Sequence, residues 1–295
     1  MRKLLLTLLA LVLVFGVAFS AKYVVGLSLS TLNNPFFVTL RDGAVEAAEK
    51  LGIELIVLDA QDNPAKQLND IEDLIQKKVD LIIVNPTDSD AIVSAVESAN
   101  EAGIPVITVD RASNGGKVVC HIASDNVEGG RMAARYIAKV LNGKGKVVEL
   151  VGIPGTSAAR DRGKGFEEEL AKYPGLQLVA KQTANFNRAE GLTVMENILE
   201  AHPDIDAVFA QNDEMALGAI EAIKAAGKLD DIIVVGFDAI PDAIEAIKKG
   251  EMEATIAQQP YLMGQLAVTK AFEYLTTGTV FFPVELKLVT TENVE

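Results

Sequence analysis

Two hydrophobic patterns alternate along this chain. Short unbroken apolar runs, the mark of strands covered on both faces, occur at 23–30, 55–58, 81–85 and 106–110. Between them, residues 37–50, 65–77 and 89–102 place apolar side chains at helical spacing, and Gly52 and Gly103 stand where two of these helices should stop. The pattern restarts after Asp125 with a helix to about residue 141. Strand-like runs then recur at 146–151, 176–181, 207–211 and 232–237, with helical stretches interleaved. A strand at 254–258, a helix at 264–275 and a last strand at 285–289 complete the series.

Alternation of this kind predicts an α/β chain with parallel sheets covered by helices on both faces. Two consecutive units make two doubly wound lobes, and the three final elements are too few for a third. They are expected to return and complete the two lobes, so that several strands cross between them as a hinge. Crossings near Ser124, Gln258 and Lys287 give a first lobe of 22–124 with 259–286, and a second of 125–258 with 287–295.

Within this series one stretch is written twice. The run Asp80 to Asn85 leads through a helix to a strand ending at Asp110; the run Asp206 to Asn212 leads through another to a strand ending at Asp238. Amide and carboxylate are 25 positions apart in one copy (85 to 110) and 26 in the other (212 to 238). Each ends an apolar strand, and open α/β sheets bind ligands outside the carboxyl ends of their strands. Two such ends on similar lobes suggest jaws that close on one small polar molecule.

Other residues at strand ends extend this set. Asn34 before Pro35 suits a helix N-cap, yet capping does not explain Phe36 and Phe37 in succession; paired rings can cover an apolar ligand face. Phe186 and Phe237 are further ring candidates, although core packing suits any one of them alone. Asp110 and Asp238 have capping of the next helix as an alternative, and Arg111 and Arg162 have a solvated surface. If all four point inward, two positive and two negative charges favour a neutral ligand. Sugar hydroxyls, which both donate and accept, suit such a mixture of carboxylates, amides and guanidiniums.

Composition narrows the classes. The 295 residues carry 27 basic and 41 acidic side chains, a net charge of −14, which disfavours a nucleic-acid surface. One cysteine and two histidines exclude an internal disulfide and leave too few ligands for zinc or thiol chemistry. His121 and His202 read as structural, and Cys120 as a buried small hydrophobe. No dinucleotide fingerprint follows the first strand, and 152–156 lacks the Lys-Ser/Thr of a phosphate loop. No nucleophile elbow or zinc-protease motif occurs. No cofactor is expected. Met1-Arg2-Lys3, an apolar run to Phe19 and then Ser20-Ala21 describe an export signal, residues 1–21, cleaved after Ser20 or Ala21. An uncleaved anchor is the alternative, with an apolar run rather short for a span of about 20 residues.

The first loop (30–37), Asn85 to Asp90, Val109-Asp110-Arg111, His121 to Asn126, Gly155 to Arg160, Phe209 to Glu214, Gly236-Phe237-Asp238 and Ala254 to Gln258 closely resemble the periplasmic ribose-binding proteins, a branch of the type I periplasmic sugar-binding family. The resemblance runs from about Tyr23 to the C-terminus; Ala239 after Asp238 is its main departure near the site. It implies the type I periplasmic binding fold, two doubly wound lobes joined by a multi-strand hinge, with no enzymatic activity. It implies a ribose site of Ser30, Asn34, Phe36, Phe37, Asn85, Asp110, Arg111, Arg162, Phe186, Asn212, Phe237, Asp238 and Gln258. Delivery to an ABC-type permease, and in some members to a chemoreceptor, comes with it, as does a monomer in the periplasm. Allose or xylose is the alternative ligand. A sugar-responsive repressor would need a basic DNA-binding N-terminus in place of the export signal. A glycosidase would need an acid–base carboxylate pair, and Arg111 beside Asp110 suits an acceptor rather than a proton donor.

Overall fold

The structure is a computed structural model and describes residues 23–280 and 287–290. The expected export signal, 281–286 of the first lobe assignment and 291–295 of the second lie outside the described residues.

Strands β1 (Tyr23–Leu29), β2 (Ile53–Asp59), β3 (Leu81–Val84), β4 (Val106–Val109) and β5 (His121–Ile122) form one sheet in the order β2-β1-β3-β4-β5. Its helices are α1 (Pro35–Leu51), α2 (Pro64–Gln76) and α3 (Val93–Glu101). The second sheet contains β6 (Lys144–Val151), β7 (Gly175–Thr183), β8 (Ala207–Ala210), β9 (Ile233–Asp238), β10 (Ala254–Ala257) and β11 (Lys287–Thr290), ordered β11-β10-β9-β8-β6-β7. With it run α4 (Asn126–Val140), α5 (Ser157–Leu170), α6 (Arg188–Ala201), α7 (Asp213–Ala225) and α8 (Pro241–Lys248). Helix α9 (Pro260–Thr277) follows β10 and packs along α1. The duplication seen in sequence is therefore a duplication of topology, with first, third and fourth strands central in each half. All pairings are parallel except β10 with β11.

Local chemistry sets the element ends. Proline opens α1, α2, α8 and α9, where its missing N–H has no intrahelical partner to lose. Gly52 ends α1 in the left-handed region at φ 67°, which costs glycine no Cβ clash. Two helix starts and one burial depart most from the sequence reading. Helix α3 starts at Val93 rather than 89, because Asp88 Oδ1 accepts from the backbone N–H of Asp90 and Ala91 and holds a turn there. Helix α9 starts at Pro260 rather than 264, since Tyr261 and Leu262 face solvent and hide its helical period. Cys120 is half-buried rather than buried.

Two close approaches fix α5. A Cβ on Gly130 would lie 2.1 Å from the carbonyl oxygen of Arg162, and one on Gly165 would lie 1.9 Å from that of Val127. Helices α4 and α5 therefore touch backbone to backbone, which sets the height of α5 beside the sheet.

The second sheet buries a carboxyl group. Glu149 on β6 has no solvent exposure; its Oε1 accepts from Gln211 Nε2 at 2.7 Å, and its Oε2 has no hydrogen-bond partner among the described residues. Burial, opposed by the Gln211 hydrogen bond and Lys181, pushes its pKa up to about 7. A carboxyl with a raised folded-state pKa holds its stability below its unfolded value of about 4.3 and loses it as pH rises through 7. Glu149→Gln keeps the acceptor for Gln211 and removes the ionisation. Thermal melts should show the variant gaining on the wild type between about pH 5 and pH 8; parallel curves would contradict a titrating Glu149.

Candidate functional site

A narrow cavity lies between the two sheets and is lined by Asn34, Phe36, Phe37, Asp110, Arg111, Ala158, Arg162, Phe186, Asn212, Asp238 and Gln258. Every one follows the carboxyl end of a strand or belongs to the first turns of the next helix. Ten of the thirteen residues picked from sequence are among them; Ser30, Asn85 and Phe237 are not, and Ala158 was not foreseen.

The aromatic wall begins at the first loop. Asn34 Oδ1 accepts from the Phe36 N–H at 2.9 Å and caps α1, so capping and cavity lining coexist in one side chain. The rings of Phe36 and Phe37 meet edge to face with centroids 5.1 Å apart, and both are buried. Arg111 lies 5.2 Å from the Phe37 centroid and 5.4 Å from that of Phe186. Arg162 lies 5.7 Å from Phe186 and 3.9 Å from Phe237, which puts Phe237 behind the guanidinium rather than on the cavity wall.

All four charges point inward. Arg111 Nε is 3.8 Å from Asp110 Oδ2, and Arg162 Nη1 is 3.7 Å from Asp238 Oδ1, with each of the four side chains at most 5% exposed. Neither aspartate caps the next helix, whose N-caps are Asp125 for α4 and Ile240 for α8. Burial lowers the pKa of both arginines; Asp110 opposes this most for Arg111, and Asp238 most for Arg162. Burial pushes Asp238 up to about 7 against the pull of Arg162 and the Gln258 hydrogen bond.

The two Asn-to-Asp repeats do different work. Asn85 Nδ2 donates to Asp110 Oδ2 at 3.2 Å and to the Val109 carbonyl at 3.1 Å, while its Oδ1 accepts from the Ser30 N–H at 3.2 Å. It orients Asp110 from beneath. Asn212 instead lines the cavity, with Oδ1 capping α7 through the Met215 N–H at 2.9 Å and Nδ2 donating to the Phe186 carbonyl at 3.2 Å. Its place under Asp238 is taken by Gln258, whose Nε2 donates to Asp238 Oδ1 at 2.7 Å. Gln258 Oε1 accepts from Ser124 Oγ at 2.7 Å, tying together the two segments in which the chain leaves one sheet for the other.

Strained backbone surrounds these side chains. Asp110 (φ 62°), Asn185 (50°), Phe186 (57°), Asp238 (125°) and Ala239 (60°) hold positive φ values that L-residues rarely adopt. The turn after β9 is clamped by Asp213, which is not among the thirteen site residues expected from sequence. Its carboxylate accepts from Thr255 Oγ1 at 2.6 Å and from the Ile240 N–H at 2.9 Å. Burial, with Asp238 nearby, raises its pKa well above the ordinary carboxylate range.

The polar set has unused capacity. Ser30 Oγ, Asp110 Oδ1 and Arg111 Nε are buried without a hydrogen-bond partner among the described residues. Buried polar atoms are almost always paired. A donor and an acceptor at adjacent residues beside aromatic rings match a neutral polyhydroxylated guest with an apolar ring face.

Known proteins give this geometry a context. The ribose import binding protein of Bacillus subtilis is 55% identical over 270 residues, spanning 90% of this chain and 87% of the relative. That of Escherichia coli is 53% identical over 271 residues, 91% of each. Among solved structures, an ABC transporter solute binding protein from Bacillus halodurans with bound myo-inositol superposes with a TM-score of 0.89 at 38% identity, covering 94% of this chain and 97% of that one. One from Actinobacillus succinogenes with bound D-allose gives 0.86 at 36% identity, covering 92% and 98%. The sequence profile of the periplasmic binding protein domain matches residues 25–279, nearly all of the two-sheet architecture described above, and the chain belongs to that family.

Proposed function

We propose that this protein captures ribose in the cleft between its lobes and presents it to an ABC-type importer. The observation that carries the reading is the lining of the cavity: two buried ion pairs, an orphaned donor and acceptor, and three aromatic rings facing one space between the lobes. Net charge at the site is balanced, so a neutral guest leaves no ion unpaired. Relatives more than half identical carry the name ribose import binding protein, and the family is one of transport proteins rather than enzymes.

In this proposal the lobes are 22–124 with 259–286, and 125–258 with 287–295, and the crossings at Ser124 and Gln258 are hinge strands. Asp110, Arg111 and the Phe36–Phe37 pair belong to the first lobe. Arg162, Phe186, Asn212 and Asp238 belong to the second, and Gln258 to the crossing. Phenylalanine rings cover the apolar faces of the sugar, while carboxylates accept from its hydroxyls and guanidiniums and amides donate to them. Asn85 and Phe237 act from behind by fixing Asp110 and Arg162, and Ser30 holds the Asn85 amide in place. Sugar that touches both lobes favours the closed arrangement over the open one, a population shift about the hinge. A micromolar dissociation constant needs only about −8 kcal/mol net. The protein works in the periplasm after cleavage of residues 1–21, as a monomer that meets the permease and, in chemotactic hosts, a chemoreceptor.

Calorimetric titration against a sugar panel tests the reading: ribose should bind more tightly than allose, xylose or myo-inositol, and a tighter rival would replace it. Asp110→Ala and Asn212→Ala should each weaken ribose binding by at least ~1.5 kcal/mol, because each orphans buried partners. Asn85→Ala should weaken it by about tenfold without any contact to sugar, through a misplaced Asp110. Wild-type affinity in all three variants would sink the site assignment.

A further inference from the structure

Beside the cavity the two lobes also touch each other directly. The first lobe contributes the loop after β3 and the loop after β4; the second contributes the segment that leads into α5. The Ser89 N–H donates to the Gly155 carbonyl at 3.0 Å, and the Ser157 N–H donates to Ser89 Oγ at 3.1 Å. The Ala112 N–H donates to Ser157 Oγ at 2.8 Å. Arg160 Nη2 donates to Asn114 Oδ1 at 3.1 Å, and its Nη1 donates to the Gly155 carbonyl at 3.0 Å. The row runs outward from buried Ser89 and Ser157 to exposed Asn114 and Arg160, starting next to Ala158 on the cavity wall. Each lobe's share is held firm from within. Asn114 N–H donates to the Ser89 carbonyl at 2.8 Å, and Thr156 caps α5 through the Ala159 N–H at 3.2 Å.

Gly155 is the tightest point of this seam. A Cβ there would lie 1.8 Å from Asp88 Oδ2 and 2.9 Å from Asp88 Cγ. Asp88 is not free to swing aside, because its Oδ1 accepts from the N–H groups of Asp90 and Ala91 at 2.9 and 2.8 Å. Even a methyl group at position 155 therefore forces a choice between breaking that turn and parting the lobes.

We propose that this seam is a latch which sets the affinity and residence time of the bound sugar without touching it. The idea rests on the ribose reading above and adds determinants that none of the cavity-lining side chains supplies. Apparent affinity scales with the fraction of protein able to close, so contacts present only in the closed form add to every ligand equally. Loss of such contacts is expected to appear mainly in the dissociation rate.

The wild-type isotherm, measured first, tests the ribose reading on its own. Gly155→Ala should then raise the ribose dissociation constant by about tenfold or more, chiefly through faster release in stopped-flow traces. It should raise the constants of weaker sugars by the same factor, and leave the melting temperature of sugar-free protein unchanged. Asp88→Ser shortens the obstructing side chain and keeps a turn-holding oxygen. Alone it should stay within about threefold of wild type, and combined with Gly155→Ala it should restore most of the lost affinity. Wild-type binding by Gly155→Ala, a loss that Asp88→Ser does not relieve, or a factor that differs from sugar to sugar would each overturn the latch.

Discussion

Four buried charges govern the rest of this structure. Asp110, Arg111, Arg162 and Asp238 sit between two hydrophobic sheets, where an isolated ion would cost several kcal/mol and even a good pair need not be stabilising. Direct pairing is loose, at 3.7–3.8 Å, so the pairs alone do not satisfy these groups. The protein adds an amide beneath each carboxylate, Asn85 under Asp110 and Gln258 under Asp238, and aromatic faces beside each guanidinium. Some hydrogen-bonding capacity is nonetheless left over on Asp110 and Arg111. A fold that tolerates such groups gains from a guest that satisfies them, which couples binding to closure.

Scaffold and site are related by duplication, but the two halves have diverged in how they support the charges. In the first lobe the amide lies just past the end of the adjacent strand β3, 25 positions before its aspartate (85 to 110). In the second the equivalent amide has moved to the cavity wall, and the supporting one comes from the crossing segment after β10. Gln258 also binds Ser124 in the other crossing, so the group that orients Asp238 is part of the hinge. Orientation of a cavity-facing carboxylate and geometry of the crossing segments are thereby one structural fact. The strained turn at Asp238 and Ala239, clamped by Asp213 and Thr255, shows the same principle, with backbone held in an unfavourable region by buried hydrogen bonds.

In the proposed reading, closure has two physical contributions in this molecule. One runs through the cavity, where charges and rings from both lobes meet the guest. The other runs through the seam from Ser89 and Ser157 out to Arg160, where protein meets protein. The first selects which molecule is held. The second sets how strongly the lobes hold together once anything fits, and Gly155 is the point at which shape rather than hydrogen bonding decides it.

The alternation of apolar runs and helical periods was sufficient to read the parallel sheets, the duplication and most strand ends, because burial on both faces leaves a strong periodic trace. Proline-led helix starts and the Gly52 stop were equally visible, being fixed by backbone chemistry within a few residues. The resemblance to the ribose-binding proteins named thirteen candidate site residues, and ten of them line the cavity. What the chain alone left open were relations between distant segments. Asn85 and Phe237 sit one layer behind the cavity, Ala158 sits on its wall, and Asp213 clamps a turn it does not belong to, because each position depends on how separate strands stack in space. The same holds for Gly155: nothing local marks it, since the atom it must avoid lies on the opposite lobe, 67 residues earlier (88 to 155), and only the closing of the two sheets upon each other brings them together.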